Sequence, residues 1–197
     1  MAKTQDIIDG VLVRPLETLA TNFLSSRYYN GRRIVDLLGT PEDARRWIEV
    51  IHVQLHGPRP FTPTTDELVR LRDIRGVLEA SYGRTVDNDF STGSLNALND
   101  LLAEPMLRPR IDLDRNGVAV AAWTPTPDQV LAEFTATVLV ASVDTLTGPR
   151  APLLRKCHAP RCVLYFTQLD SRQHWCSNIC GNRARVARAA TRANSSE

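Results

Sequence analysis

The sequence predicts a mainly helical α+β protein: an N-terminal helical domain with one small antiparallel hairpin, joined to a C-terminal four-cysteine finger that carries a basic helix. Three observations lead there. Apolar residues recur at helical spacing behind Thr-Pro and Thr-Thr start signals. One stretch alternates about an Asn-Gly turn. All four cysteines fall within 24 residues near the C-terminus.

The elements follow in order. A helix is expected over roughly Pro15 to Ser25. "GTPEDARRWIEVIH" has Thr40 as N-cap, Pro41 at the first helical position and acids in the first turn, with Ala44, Trp47, Ile48 and Ile51 on one face. In "TPTTDELVRLRDIRGVLEASYG" Thr65 is expected to cap, Leu68, Leu71, Ile74 and Leu78 to line one face, and Gly83 to end the helix. A shorter helix is expected from Ser94, ending before Pro105. "LRPRIDLDRNGVAVAAW" reads as a hairpin turning at Asn116–Gly117. The helix opening at Thr126–Pro127 runs toward Leu146 and is apolar on most sides, so it is expected to be central and buried.

The 197 residues are 43% hydrophobic and 23% charged, enough apolar content for a core. No run of about 18 apolar residues is evident, so no membrane is expected as a partner. The N-terminus lacks the apolar block of a signal peptide, which points to the cytoplasm, where thiols stay reduced. Charge is unevenly spread: residues 1–149 carry a net −5 and residues 150–197 a net +7. The basic part should face something anionic. Gly148, Pro149 and Pro152 mark a linker, giving an N-terminal domain over 1–146, a linker over 147–152, a finger over 153–193 and a disordered tail over 194–197.

Catalytic chemistry is hard to find, and the expectation is that the protein is not an enzyme. His52 and His56 lie one turn apart, but residue 53 is Val, so the zincin pattern is absent. Histidines at a helix end commonly satisfy terminal carbonyls. Asp112 and Asp114 flank a turn, where Asp is favoured for conformational reasons.

The cysteines read Cys157-x4-Cys162-x13-Cys176-x3-Cys180. Two close pairs separated by a loop suit tetrahedral zinc, and the inferred compartment argues against disulfides. Four thiolates fill the shell, so the zinc is structural, with His158 and His174 outside it or exposed. Val163, Leu164, Tyr165, Phe166 and Trp175 would form a small apolar cluster of the finger's own. Beyond Cys180 the alanines favour helix, and Arg185, Arg188 and Arg192 fall at i, i+3 and i+7, with Arg183 near the edge of that stripe. No acid intervenes between Asp170 and Glu197. Guanidinium groups on such a helix suit phosphate or guanine. A solubilising basic tail is the plainer alternative.

"WCSNICGNRARVARAATR" resembles the signature of the bacterial CGNR zinc fingers, with Cys-Gly-Asn-Arg at 180–183, and "LRKCHAPRCVLYF" resembles that family's first cysteine pair. "LATNFLSS" and "DLLGTPEDARRWI" are similar to segments of the ABATE domain that commonly precedes the finger. Before Trp175 the chain has Gln173–His174 where many members carry two arginines. The resemblance implies a stress-related transcription regulator with zinc on Cys157, Cys162, Cys176 and Cys180 and DNA contact from the finger. Arg183, Arg185, Arg188, Arg192 and Asn182 are the candidate DNA contacts; Gly181 and Asn182 would also shape the turn after the last ligand. The N-terminal domain would sense a small-molecule effector, whose binding residues the sequence does not identify. Regulators of this size often dimerise, so a homodimer is among the expectations. Two other readings stay open: a protein-docking finger, and an enzymatic N-terminal domain.

Overall fold

The computed structural model describes residues 5–89, 93, 95–103, 109–123 and 130–194. The expected helix starts at Ser94 and at Thr126–Pro127, the stop at Pro105 and the tail beyond Asn194 lie outside them. Among the described residues the fold is mainly helical, with four two-stranded antiparallel hairpins where the sequence announced one.

The chain opens with β1 (Asp6–Ile8) and β2 (Val11–Val13), paired across a turn in which Asp9 and Gly10 both have positive φ. That Asp-Gly turn twists to match the strands. Helix α1 is only Leu19–Leu24, capped by Thr18, because the residues from Pro15 onward are spent on a turn. Strands β3 (Arg27–Tyr29) and β4 (Ile34–Asp36) follow as a second hairpin. Helix α2 (Pro41–Leu55) starts as expected, the Thr40 side chain accepting from the Asp43 N–H. It ends at His56 in the left-handed region, with His52 Nδ1 2.9 Å from the Gly57 carbonyl, so the histidine pair finishes a helix.

Helix α3 (Thr65–Asp87) corrects two details. Thr64, not Thr65, is the cap, because a capping box with Glu67 forms there. Gly83 does not end the helix, which runs to Asn88 in the left-handed region. A Cβ at Gly83 would lie 3.2 Å from the Tyr165 hydroxyl, so this glycine makes room for the finger. Helix α4 is Asn96–Ala103. Strands β5 (Pro109–Leu113) and β6 (Ala119–Trp123) form the expected hairpin, with Asp114 Oδ1 accepting from the Asn116 and Val118 N–H groups. Those bonds hold the Asp114 carboxyl below the usual range and identify it as a turn residue.

Helix α5 (Val130–Thr147) buries Phe134, Ala136, Val138 and Leu139 but leaves Val140 and Val143 exposed, so it is buried along one side rather than all round. It is long and apolar enough to cross a membrane by length and composition, although Glu133 and Asp144 interrupt its apolar run. A 3-10 turn (Ala151–Leu153) then leads into β7 (Leu154–Lys156) and β8 (Tyr165–Thr167), and α6 (Asn178–Asn194) closes the chain.

The core is continuous. Phe23, Trp47 and Phe134 pack edge to face at its centre, and Leu154, Leu164, Tyr165, Phe166 and Ala184 of the C-terminal region belong to the same buried cluster. The apolar residues of the finger therefore complete the N-terminal core instead of forming their own. Arg75, 5% exposed, grips Asp36 through two bonds of 2.7 and 2.6 Å and donates to Ser26 Oγ at 2.9 Å, tying α3 to β4. Burial pushes the Asp36 carboxyl up, but the Arg75 bonds and charge outweigh it and leave the group below its ordinary value.

Asp36→Asn is expected to lower stability by roughly 2 kcal/mol at neutral pH, less than for a fully buried pair because Asp36 is partly solvated. A depressed carboxyl contributes fully above the ordinary carboxylate range and loses that contribution as pH falls through its folded value. The gap between variant and parent should therefore close under acid conditions, as urea denaturation at several pH values would show.

Candidate metal centre and nucleic-acid interface

Strands β7 and β8 carry the first cysteine pair on the knuckle between them. The Cys157 N–H donates to the Leu164 carbonyl at 2.9 Å, and the Cys162 N–H to the Ala159 carbonyl at 2.9 Å. Arg161, with φ of 62°, turns the chain so that both sulfurs face one point. The second pair straddles the start of a helix and does not share a helix face. Helix α6 begins at Asn178, so Cys176 precedes it and Cys180 lies in its first turn, its N–H donating to Ser177 Oγ.

All four sulfurs lie within 4.8 Å of one another. Cys176 to Cys180 measures 3.4 Å, while Cys162 lies 3.8 Å from Cys176 and from Cys180. A tetrahedron with zinc about 2.3 Å from sulfur has edges of about 3.8 Å, whereas a disulfide needs about 2.05 Å. The residues fit zinc, and all four cysteines are free thiols. Hydrogen bonds from the other three sulfurs, Cys162 first, hold the Cys157 thiol far below its usual value. The Cys157 contact pushes Cys176 up. His158 and His174 are exposed, leaving the thiols as the donor set.

Outside the sulfurs, Arg183 Nη2 donates to Cys180 Sγ at 3.2 Å, and its guanidinium lies over the Tyr29 ring, 4.6 Å from the centroid. A cation here offsets the negative charge of a four-thiolate site. At about 100° per residue Arg183 stands roughly half a turn from Arg192, not at the edge of the arginine stripe. Gly181 lies within α6, not in a turn; a Cβ there would meet Trp175 Cδ1 at 3.1 Å, so it serves close packing. Asn182, Arg185, Arg188 and Arg192 are exposed on the helix, and Asn182 Oδ1 accepts from Arg185. Gln173 braces the loop, accepting from the Leu169 N–H and donating to the Trp175 carbonyl.

A family model named ABATE, described as "putative stress-induced transcription regulator", matches residues 17–149. The chain belongs to the ABATE family. A second model, the CGNR zinc finger, matches residues 154–193 and so contains all four cysteines. No curated protein matches the chain. The ABATE region and its CGNR finger make this, in general terms, a zinc-binding regulator.

The residues that join the ABATE region to the finger carry no local sequence signature of that role. Buried Arg14 donates to the Tyr165 carbonyl at 2.6 Å and to Glu17 at 3.1 Å. Glu17 in turn accepts from the Thr167 N–H and hydroxyl. Asn22, inside the ABATE-like "LATNFLSS", accepts from the Arg14 N–H and donates to its carbonyl. An arginine and an acid three residues apart were the available signal, but they look like any surface pair.

Removing zinc with a strong chelator, or by Cys176→Ser, is expected to lower the melting point of the whole chain, because the finger shares the central core. Metal analysis should show one zinc lost per chain, and circular dichroism a single cooperative transition. Zinc should also dissociate as pH falls, since protons compete for the thiolates.

Proposed function

We propose that the chain is a DNA-binding transcription regulator whose metal-anchored helix α6 contacts DNA. One observation carries the reading. Arg185 and Arg188 are exposed on α6 and bond only to Asn182 and to the Ala184 carbonyl, with no acidic partner among the described residues. Exposed guanidinium groups left without carboxylates are suited to phosphate oxygens. Asn182 lies beside them and can address a base edge.

The described residues offer a candidate effector site. A crevice of about 1060 Å³ lies between Gln5 and Leu16 on one side and Trp175, Arg185 and Arg188 on the other. A ligand seated there would occupy the arginines that DNA requires, which couples sensing to binding by direct competition. The metal has no catalytic part in this reading, since four thiolates leave it no open position. A cytoplasmic setting, which keeps those thiols reduced, and a homodimer doubling the DNA contacts belong to the same proposal.

A protein-docking finger is the second reading, favoured by Ile179 and Val186, which are 66% and 69% exposed on α6. Binding to sheared DNA from the source genome, with bound fragments sequenced at two salt concentrations, separates the two. Retention of a few fragments at higher salt establishes a sequence-specific regulator; the absence of DNA binding points to a protein partner. Arg185→Ala with Arg188→Ala is expected to weaken DNA binding on the order of 10-fold and to make its salt dependence shallower by about two phosphates, with zinc content unchanged.

A further inference from the structure

On α6, Ile179, Asn182, Val186, Ala189 and Ala193 recur at i, i+3, i+7, i+10 and i+14 and form an uncharged outer stripe. At about 100° per residue, Arg185, Arg188 and Arg192 lie on one flank of that stripe and Arg183 on the other. A helix in the major groove needs small or amide side chains toward the bases and cations toward the phosphates on both sides. The first flank has its cations. On the second, Arg183 is committed to the metal centre and to Tyr29.

Tyr29 leads to what replaces it. The β3–β4 hairpin turns at Asn30–Arg33, with Asn30 Oδ1 accepting from the Arg32 and Arg33 N–H groups at 2.9 and 3.0 Å and Gly31 at φ of 100°. The tip is thus internally braced. Arg161, on the metal knuckle, sits 5.8 Å from the centroid of the Tyr29 ring and donates to its hydroxyl at 3.3 Å. With Arg183 and Arg161 both on Tyr29, hairpin, knuckle and α6 are tied together. A depression of about 380 Å³ lies between Arg32 and Arg33 on the hairpin and Arg161 on the knuckle, with no acidic side chain lining it. Neither Arg32 nor Arg33 forms an ion pair among the described residues. Cys162 of the four-thiolate centre also lines the depression and offsets part of this charge, and an external anion would offset the rest.

We propose that the β3–β4 hairpin is a second DNA-contacting element, in which Arg32 and Arg33, with Arg161, bind backbone phosphates on the flank of α6 opposite Arg185 and Arg188. The proposal rests on the DNA reading above and gives the ABATE region a direct part in binding. Helix α6 would lie between two rows of phosphate contacts, only one of them its own. The hairpin row would fix how deeply and at what angle the helix enters the groove, without reading bases.

The test is fluorescence anisotropy with a mixed-sequence duplex of about 30 base pairs, across a salt series that spans the range where phosphate contacts dominate. Arg32→Ala with Arg33→Ala should weaken binding on the order of 10-fold and make the plot of log affinity against log salt shallower by about 2. Arg45→Ala with Arg59→Ala removes the same charge elsewhere and should leave the slope unchanged. Charge reversal, Arg32→Glu with Arg33→Glu, should abolish binding while zinc content and melting point stay at parental values. If the hairpin variants keep the parental slope while the Arg185/Arg188 variant loses it, the hairpin proposal falls and the DNA reading stands. If the two control substitutions flatten the slope as much, the effect is net charge and the proposal also falls. If the parent itself does not bind the duplex, both fail together.

Discussion

A buried guanidinium ties strand β8 to the turn that precedes α1. Arg14 is 1% exposed, and a charge so placed is tolerable only when it is paired. Its Nη1 reaches the Tyr165 carbonyl, its Nη2 the Glu17 carboxylate, and its backbone is held on both sides by the Asn22 amide. Glu17 passes the connection on to Thr167. Breaking one member of a buried pair leaves the other uncompensated, at a cost of about 3–5 kcal/mol. Strand β8 therefore sits against α1 by electrostatic necessity as well as by apolar packing.

The metal centre inherits its position from that contact. With β8 fixed, the knuckle before it presents Cys157 and Cys162, and Leu164, Tyr165 and Phe166 fill the space beside Tyr82. Burial pushes the Tyr165 phenol up to about 12, so it stays a neutral donor to the Glu79 carbonyl. Gly83 leaves the room for it on α3. On the other side Tyr29 meets Arg161 and Arg183. The zinc site is clasped from two directions by the ABATE region, and α6 projects from a supported base rather than from an independent finger.

Much of this was legible in the sequence wherever local chemistry decides the outcome. Thr40 and Pro41 start a helix in any context, and four cysteines at metal spacing gather sulfurs whatever surrounds them. The three-residue strands were not legible: they are too short to show alternation, although Asp9–Gly10 and Asn30–Gly31 did mark their turns. Gly83 was misread because a glycine that ends a helix and one that admits a distant tyrosine look the same without the tyrosine. Arg183 illustrates the same limit. Its stacking on Tyr29 depends on a hairpin more than 150 positions earlier, which the spacing of α6 cannot reveal.

The Arg14–Tyr165 bond spans 151 residues of sequence. A nascent chain emerges in order, so the guanidinium and carboxylate meant for the interior are made long before their partners. Until β8 appears, the core around Phe23 and Trp47 lacks one wall and those charges stay hydrated. Burial of Arg14 and Glu17 is thereby tied to the synthesis of β8: a chain truncated before that strand lacks the partners needed to bury what it has already made.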